Sequence, residues 1–223
     1  MKSKLPQGVV LCSGSASSLR YLHDHDPNFG TRYEIIGVFS DVSGASGLRF
    51  AVLKGISAVA LDFGHWCEAC EFDRRDLVAR QLYFQDVRTK FDEMQWKPDF
   101  IILSGFMLIV TDPLLSAFRG CILNVHPALL SISDGKEGRL LTGLNVVARA
   151  MELGLDTGST VHIVTDQPDM GPIIAESEVL PYQQGDDPEA HQQKMKTACD
   201  GPAFARALEF LIDSGWPGRP WRS

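Results

Sequence analysis

Short runs of apolar and β-branched residues alternate with longer segments of helical periodicity along most of this 223-residue chain. Strands that alternate with helices build a mostly parallel sheet with helices on both faces. We therefore predict an α/β fold, Rossmann-like, with a mostly parallel twisted sheet flanked by helices. Seven runs have the length and composition of strands; they lie at residues 8–12, 34–40, 57–61, 100–104, 121–125, 159–165 and 172–177.

The helical segments carry apolar residues at three- and four-residue spacing, and glycine closes several of them. They lie at residues 17–25, 47–55, 74–94, 111–120 and 143–154, and a helix or helix pair is predicted over residues 188–215. The connections are short, and neither a linker nor an internal repeat is visible. We therefore expect residues 1–223 to form a single domain.

Charge and hydropathy exclude several classes of partner. The net charge of −7 argues against a general nucleic-acid surface, because phosphate neutralisation needs clustered lysine and arginine. A small anionic ligand is compatible with this charge, since a few backbone N–H groups can hold one. The longest apolar stretch, residues 100–110, is far too short to span a bilayer, and no signal peptide is visible. We predict a cytoplasmic protein without nucleic-acid or membrane partners, and we leave its oligomeric state open.

Five cysteines are present, and two of them, Cys67 and Cys70, form a C-x-x-C motif. A zinc site needs a second pair of ligands, and no other C-x-x-C or H-x-x-H occurs in the sequence. His65 could add a ligand, so metal or redox chemistry stays an alternative. We favour a surface helix start with two incidental thiols, and we predict no metal.

The segment "ILNVHPALL", residues 122–130, is an apolar run that ends in an amide, an imidazole and a proline. Asn124 and His126 are two residues apart, so on an extended chain they face the same side. Pro127 prevents further ladder pairing and favours an extended conformation at His126. Because open α/β sheets bind their ligands at the carboxyl ends of strands, this pair marks a candidate site.

The first predicted strand is followed by a loop of small residues, 13–18, and then by a helix start. Backbone N–H groups in such a loop can converge on an anion, assisted by the helix N-terminus. The loop is not a dinucleotide fingerprint, because Ala16 and Leu19 stand where glycines are needed, and no G-K-[ST] follows as in a Walker loop. A serine-rich turn that only caps the helix is the alternative.

Three motifs, "LSGFMLIV", "ILNVHPALL" and "VTDQPDMGPII", in this order resemble the folate-dependent formyltransferases, most closely the phosphoribosylglycinamide formyltransferases of purine synthesis. The resemblance runs nearly end to end, from "VVLCSGSASSL" through "GLRFAVLKGI" to "STVHIVTDQPDMGPI". It implies the formyltransferase fold. It also implies transfer of a formyl group from the co-substrate 10-formyltetrahydrofolate to the amine of a phosphorylated small molecule, with glycinamide ribonucleotide as the nearest match.

The resemblance further implies roles for individual residues. The catalytic residues it implies are Asn124, His126 and Asp169. The substrate phosphate would be held by backbone N–H groups of Ala16, Ser17 and Ser18. The folate would be bound by Met107, Leu108, Ile109, Val110, Asn124, Thr165, Asp166 and Asp169.

These residue types suit formyl transfer, which passes through a tetrahedral centre that carries an oxyanion. Asn124 can donate a neutral N–H to that oxyanion, and losing one such donor typically costs about 10² to 10³ in rate. His126 can transfer protons near neutral pH, and we expect Asp169 to hold an ordered water or His126 itself and to raise its pKa. His162 either faces this site or is a half-buried histidine with a partner of its own.

Departures from the family pattern leave the amine acceptor open. Residues 131–142 differ from the family stretch, Leu108 replaces a frequent arginine, Ala16 replaces a frequent glycine, and Cys199 falls where a substrate-binding glutamate is expected. One alternative is a paralogous formyltransferase with a different small amine as acceptor. The other is a folate- or phosphate-binding protein without turnover.

Overall fold

The computed structural model describes residues 4–133, 135–136 and 138–219, so parts of the predicted domain 1–223 lie outside it. Each of the seven predicted strands is present, and no strand end differs from its prediction by more than two residues. The strands are β1 (Gln7–Cys12), β2 (Glu34–Ser40), β3 (Ser57–Ala60), β4 (Phe100–Leu103), β5 (Ile122–His126), β6 (Thr160–Ile163) and β7 (Ile173–Glu176).

The strands form one sheet in the order β3-β2-β1-β4-β5-β6-β7. The pairs β1–β2, β2–β3 and β1–β4 are parallel, whereas β5–β6 and β6–β7 are antiparallel. All four residues of β4 are buried, and so are the last five of β1. Continuous burial is typical of strands covered on both faces by helices. The predicted α/β fold with a mostly parallel sheet is confirmed.

Eight α-helices lie in the described part of the chain, and none of them is long and apolar enough to cross a membrane. They are α1 (Ser17–His25), α2 (Ser46–Leu53), α3 (Phe63–Ala69), α4 (Leu77–Glu93), α5 (Leu114–Ala117), α6 (Val146–Glu152), α7 (Pro188–Met195) and α8 (Gly201–Asp213). A π-helical turn, Lys196–Asp200, joins α7 to α8, so the predicted C-terminal segment is a helix pair.

Aspartate side chains set the beginnings of two helices near the C-x-x-C motif. The Asp76 carboxylate accepts a hydrogen bond from the Val78 backbone N–H, so α4 begins three residues later than predicted. Asp62 caps α3 in the same way, by accepting from the His65 N–H. An N-cap of this kind satisfies a backbone donor that has no acceptor within the helix.

The chain divides into two compact units, which we describe separately. The first contains residues up to Ala16 and Pro27–Ile122, and the second contains Ser17–Asp26 and the residues from Leu123 onward. In the second unit α8 packs against α1, β6 and β7. The face of α8 that makes these contacts is apolar and buried, and it includes Phe204, Leu208 and Leu211.

Candidate active site

The strand β5 carries the amide and the imidazole that the sequence singles out. Its antiparallel partner β6 sets Asn124 opposite His162 and His126 opposite Thr160. Residues two apart on a strand, and residues directly opposed across a strand pair, project from the same face of the sheet. Asn124, His126 and His162 therefore share one face. His126 and His162 are only 5% and 2% exposed.

The carboxylate of Asp169 joins these side chains into a cluster. Its Oδ1 lies 3.4 Å from His126 Nδ1 and 3.6 Å from His162 Nε2. Asn124 Nδ2 lies 3.2 Å from His162 Nε2. All four residues belong to the second unit. The structure thus brings the three residues assigned to catalysis together, and it adds His162, for which the sequence left two interpretations open.

The hydrogen-bond partners fix which ring nitrogens carry protons. His126 Nε2 lies 2.9 Å from the Leu141 carbonyl oxygen, and His162 Nδ1 lies 3.0 Å from the Ile163 carbonyl oxygen. A carbonyl only accepts, so both of these nitrogens are donors. With a proton on Nδ1, the His162 ring can accept at Nε2 from the Asn124 amide, which orients that amide. His126 Nδ1 is the atom that gains a proton when its ring becomes charged.

Burial and nearby charge act in opposite directions on the pKa of His126. Burial lowers the pKa of His126 below its ordinary value, and this effect outweighs the nearby charge of Asp169 and the hydrogen bond to Leu141, which both raise it. Asp169 thus raises the His126 pKa, as the sequence predicted, but the net shift is downward. The net direction was not predicted, because the depth of burial depends on tertiary packing. His126 is therefore a neutral imidazole at neutral pH.

Asp169 itself is ionised at neutral pH. Burial raises the pKa of this carboxyl, but the nearby His162 side chain, the charge of His126 and the Gly143 N–H outweigh burial and lower it below its ordinary value. Gly143 donates to Asp169 Oδ2 over 2.9 Å. The carboxylate is thus a fixed anion beside a neutral imidazole.

The backbone of the β6–β7 loop, residues 164–172, has an unusual conformation at Asp169. Asp169 has φ of 58°, in the left-handed region that side-chain-bearing residues seldom adopt. Two residues later, a Cβ atom added to Gly171 would lie only 1.8 Å from the Ile163 carbonyl oxygen. Only glycine fits there. Arg139 donates from its two terminal nitrogens to the carbonyl oxygens of Asp169 and Gly171.

The loop of residues 13–18 follows β1 and leads into α1. Ala16 is buried and has φ of 51°, and Ser17 and Ser18 are the first residues of α1. Backbone N–H groups in the first turn of a helix have no acceptor within the helix, which suits them to an anion. Ala16 has no side-chain acceptor that could cap them. The assignment of these three residues to a phosphate stays a prediction.

Residues 107–110 follow β4 and belong to the first unit. Met107 and Ile109 are exposed, Leu108 is half-buried, and Val110 is buried. The Met107 N–H donates to the Ser13 hydroxyl, which itself donates to Asp41 over 2.6 Å. Exposed apolar side chains on a hydrogen-bonded backbone provide a surface on which a flat aromatic ligand can bind.

Comparison with known proteins identifies the chain's relatives. The model of the formyl transferase family matches residues 7–207. The phosphoribosylglycinamide formyltransferase of Escherichia coli (strain K12) is 33% identical over 172 residues, which cover 77% of this chain and 71% of that protein. This chain belongs to the formyl transferase family. The resemblance drawn from the motifs is confirmed.

Two further relatives extend the comparison within the formyl transferase family. The trifunctional purine biosynthetic protein adenosine-3 of Drosophila pseudoobscura pseudoobscura is 34% identical over 206 residues. The match covers 91% of this chain but only 13% of that protein. The crystal structure of glycinamide ribonucleotide transformylase 1 from Symbiobacterium toebii has a TM-score of 0.76 and 27% identity, and the match covers 96% of this chain and 90% of that one.

The remaining residues that the sequence assigns to folate binding, Thr165 and Asp166, lie in the β6–β7 loop. Thr165 is half-buried, and its hydroxyl donates to the Gln167 carbonyl oxygen over 3.0 Å. Asp166 is exposed. Both lie in the loop that carries Asp169, but their assignment to folate binding stays a prediction.

A buried carboxyl, that of Asp200, lies in the π-helical turn between α7 and α8. Asp200 is 8% exposed and accepts a hydrogen bond from the Ser159 hydroxyl over 2.6 Å. Burial raises the pKa of Asp200 to about 6, although the Ser159 hydroxyl and Lys196 favour its ionised form. Its neighbour Cys199 is also buried. The position at which the family pattern predicts a glutamate is thus in the protein interior.

The two cysteines of the C-x-x-C motif belong to no cluster of metal ligands among the described residues. Cys67 is buried in α3, whereas Cys70 is exposed just after it. Burial raises the pKa of the Cys67 thiol. Across the described ranges, no group of three or more histidine, cysteine, aspartate or glutamate side chains is arranged to hold a metal ion.

Sequence reasoning missed one residue of this site altogether. Arg139 contacts the backbone of Asp169, yet it lies in the stretch 131–142 that departs from the family pattern. The contact joins segments that are 30 residues apart in the chain, and an isolated arginine in a polar stretch gives no periodic signal.

Proposed function

We propose that this chain transfers the formyl group of 10-formyltetrahydrofolate to the amine of a phosphorylated small molecule, and that glycinamide ribonucleotide is the acceptor. The observation that carries the proposal is the buried cluster in which Asp169 lies 3.4 Å from His126 on the face that also bears Asn124. Membership of the formyl transferase family and the names of its relatives support the same reaction. We further propose that residues 1–223 act as one domain.

Asn124 stabilises the oxyanion of the tetrahedral centre. An asparagine amide has two N–H donors, and one of them donates to His162 Nε2. We assign the second N–H donor of Asn124 to the oxyanion. Because His162 holds the amide in one orientation, the donor needs no reorganisation when charge develops, and such preorganised donors contribute about 10² to 10³ in rate.

His126 moves the proton that the reaction displaces. As the amine nitrogen bonds to the formyl carbon, it must lose a proton, and the folate nitrogen must gain one as its bond to that carbon breaks. A neutral imidazole can accept the first proton and donate the second, for a contribution of about 10² to 10⁴. The ionised Asp169 stabilises the imidazolium that exists between these steps.

The binding assignments form part of the proposal. We assign the phosphate of the acceptor to the N–H groups of Ala16, Ser17 and Ser18. We assign the folate to residues 107–110, Thr165 and Asp166. The partners of the protein in this proposal are these small-molecule substrates. The exposed Met107 and Ile109 and the left-handed conformation at Ala16 support these assignments.

An assay of 10-formyltetrahydrofolate consumption tests the reaction. It is run with glycinamide ribonucleotide, with a panel of other amines, and with water alone. We expect consumption with glycinamide ribonucleotide, and a loss of about 100-fold or more in His126→Ala and Asn124→Ala. His65→Ala is the matched control, because this histidine side chain is 79% exposed in α3.

Each other outcome identifies a different activity. Preference for another amine would identify a paralogous formyltransferase and would agree with the departure at Cys199. Equal rates with and without amine would indicate hydrolysis of the formyl group. No consumption under any condition, together with folate binding, would indicate a binding protein without turnover.

A further inference from the structure

We infer that Arg139 is a positioning residue, which holds the β6–β7 loop so that the Asp169 carboxylate stays against His126 and His162. Its catalytic consequence rests on the proposed function, whereas the contacts themselves do not. Among the described residues, the Arg139 side chain makes hydrogen bonds to the backbone of the loop and none to His126 or His162.

Arg139 holds the loop through two backbone carbonyl groups. One terminal nitrogen donates to the Asp169 oxygen, and the other donates to the Gly171 oxygen over 2.8 Å. The guanidinium is planar and presents two donors at a fixed spacing, which a single ammonium cannot reproduce. It therefore fixes the orientation of the backbone on both sides of Met170.

The two ends of the β6–β7 loop are held unequally, so the conformation at Asp169 depends on the Arg139 contact. At its C-terminal end the Ile163 N–H donates to the Pro172 carbonyl oxygen over 3.0 Å, and Gly171 packs against Ile163. In its first half, Asp166 and Gln167 are exposed. Asp169 lies between these parts in a left-handed conformation that an unrestrained aspartate seldom adopts. The Arg139 guanidinium is attached at this position.

The segment 139–143 contacts both members of the His126–Asp169 pair. Besides the guanidinium contacts, the Leu141 carbonyl accepts from His126, and the Gly143 N–H donates to Asp169. The segment is itself anchored through its backbone. Arg139 forms an isolated antiparallel β-bridge with Ser133, and the Leu140 N–H donates to the Ile132 carbonyl oxygen. The stretch that departs from the family pattern thus supplies the support of the catalytic pair in this chain.

A positioning role and a simple charge role predict different results. The groups that act on His126 are the Asp169 carboxylate and the Leu141 carbonyl, which favour its charged form, and His162 and Arg139, which oppose it. If Arg139 acted only as a cation, its removal would leave the interaction between Asp169 and His126 unchanged. If it positions Asp169, its removal weakens that interaction.

NMR titration of His126 in a double-mutant cycle decides between the two roles. The pKa of His126 is measured with and without Asp169→Asn in the wild-type, Arg139→Met, Arg139→Lys and Arg206→Met backgrounds. Arg206 is the matched control, because it also donates to a backbone carbonyl, that of Glu176, but makes no hydrogen bond to the β6–β7 loop in the described structure. Arg139→Lys retains the charge, and thermal unfolding verifies that each variant is folded.

We expect Asp169→Asn to lower the His126 pKa by about one unit in the wild-type and Arg206→Met backgrounds. In the Arg139→Met and Arg139→Lys backgrounds the shift should be less than half as large. A full shift in Arg139→Met would overturn the inference, and so would the absence of a shift in every background, because Asp169 would then not be held against His126.

Kinetics give a second, independent reading. If formyl transfer is observed, Arg139→Met should lower kcat, and the double variant with Asp169→Asn should be within about twofold of Asp169→Asn alone, because the two residues act as one unit. Additive losses would contradict positioning. The titration needs no substrate, so a failure of the proposed reaction and a failure of the Arg139 inference can be distinguished.

Discussion

Two loops of this protein each hold a residue other than glycine in the left-handed conformation, and they support it in different ways. In the β6–β7 loop, Asp169 has φ of 58°, and its carboxylate interacts with His126, His162 and the Gly143 N–H. In residues 13–18, Ala16 has φ of 51° and is buried, but its methyl group can make no hydrogen bond.

The difference shows what each side chain contributes. Aspartate tolerates the left-handed region better than alanine, and in this conformation the Asp169 side chain has charged and hydrogen-bonding partners. At Ala16 the loop geometry depends on the backbone, for example on the Gly47 N–H that donates to the Gly14 carbonyl oxygen over 2.9 Å. We therefore expect the Asp169 side chain to be irreplaceable and that of Ala16 to be dispensable.

The largest expected effect is that of Asp169→Asn on activity. This substitution retains the size of the side chain but removes its charge, so kcat should fall by about 100-fold. Because an anion favours imidazolium, the pKa of His126 should fall further, and the low-pH limb of the pH–rate profile should move to lower pH. Asp156→Asn, an exposed aspartate between α6 and β6 that has no assigned role, is the control. An unmoved limb would reduce Asp169 to a structural residue.

A pair of glycine substitutions tests how tightly each loop is packed. Gly171→Ala should destabilise the protein by about 3 kcal/mol, because its Cβ would lie 1.8 Å from a backbone oxygen. Gly14→Ala should change stability by less than about 0.5 kcal/mol, since no atom lies within 4 Å of the added methyl group. Urea unfolding of both variants measures the difference. Equal effects would mean that the two loops do not differ in packing.

Inorganic phosphate tests whether the backbone of residues 13–18 binds an anion. It should raise the apparent KM for a phosphorylated acceptor and leave kcat unchanged, because it would occupy the N–H groups of Ala16, Ser17 and Ser18. The same competition should persist in Ala16→Gly, since the N–H is retained. If phosphate leaves the acceptor KM unchanged, the loop only begins a helix.

A small effect is expected of Ala16→Gly on stability. Glycine relieves the strain of the left-handed conformation, but it loses more conformational entropy on folding than alanine does. The net effect should stabilise the protein by about 0.5 to 1 kcal/mol. Ala51→Gly, inside α2, should destabilise it by about 1 kcal/mol. Thermal unfolding of both variants compares one substitution in two backbone conformations. Destabilisation by Ala16→Gly would show that this methyl group contributes to packing.

The parts of the fold with a local periodic signal were predicted from sequence. Alternation placed all seven strands, and the two-residue spacing of Asn124 and His126 placed both on one face. The π-helical turn at Lys196–Asp200 was not predicted, because a one-residue irregularity within a helix has no distinctive composition. The start of α4 was misplaced, because both Asp73 and Asp76 precede the apolar pattern and only the structure shows which one caps.

The parts of the site that depend on distant contacts were not predicted. The hydrogen bonds of Arg139 join it to residues about thirty positions away, and the reduced pKa of His126 results from burial by several elements. His162 could be assigned to the cluster only when its register opposite Asn124 was known. Residue types and spacing thus indicated the chemistry, but not the support that holds it in place.

The carboxyl of Asp200 has a consequence for the calorimetry of this protein. Its pKa is about 6 when folded, against an ordinary value of 3.8, so near pH 5 the folded chain holds a proton that the unfolded chain has lost. Folding at that pH takes up close to one proton at this residue, and its contribution to stability is lost as the pH rises through about 6. The measured enthalpy of unfolding near pH 5 should therefore include the ionisation enthalpy of the buffer for this proton, and Asp200→Asn should lower the number of protons released on unfolding by close to one.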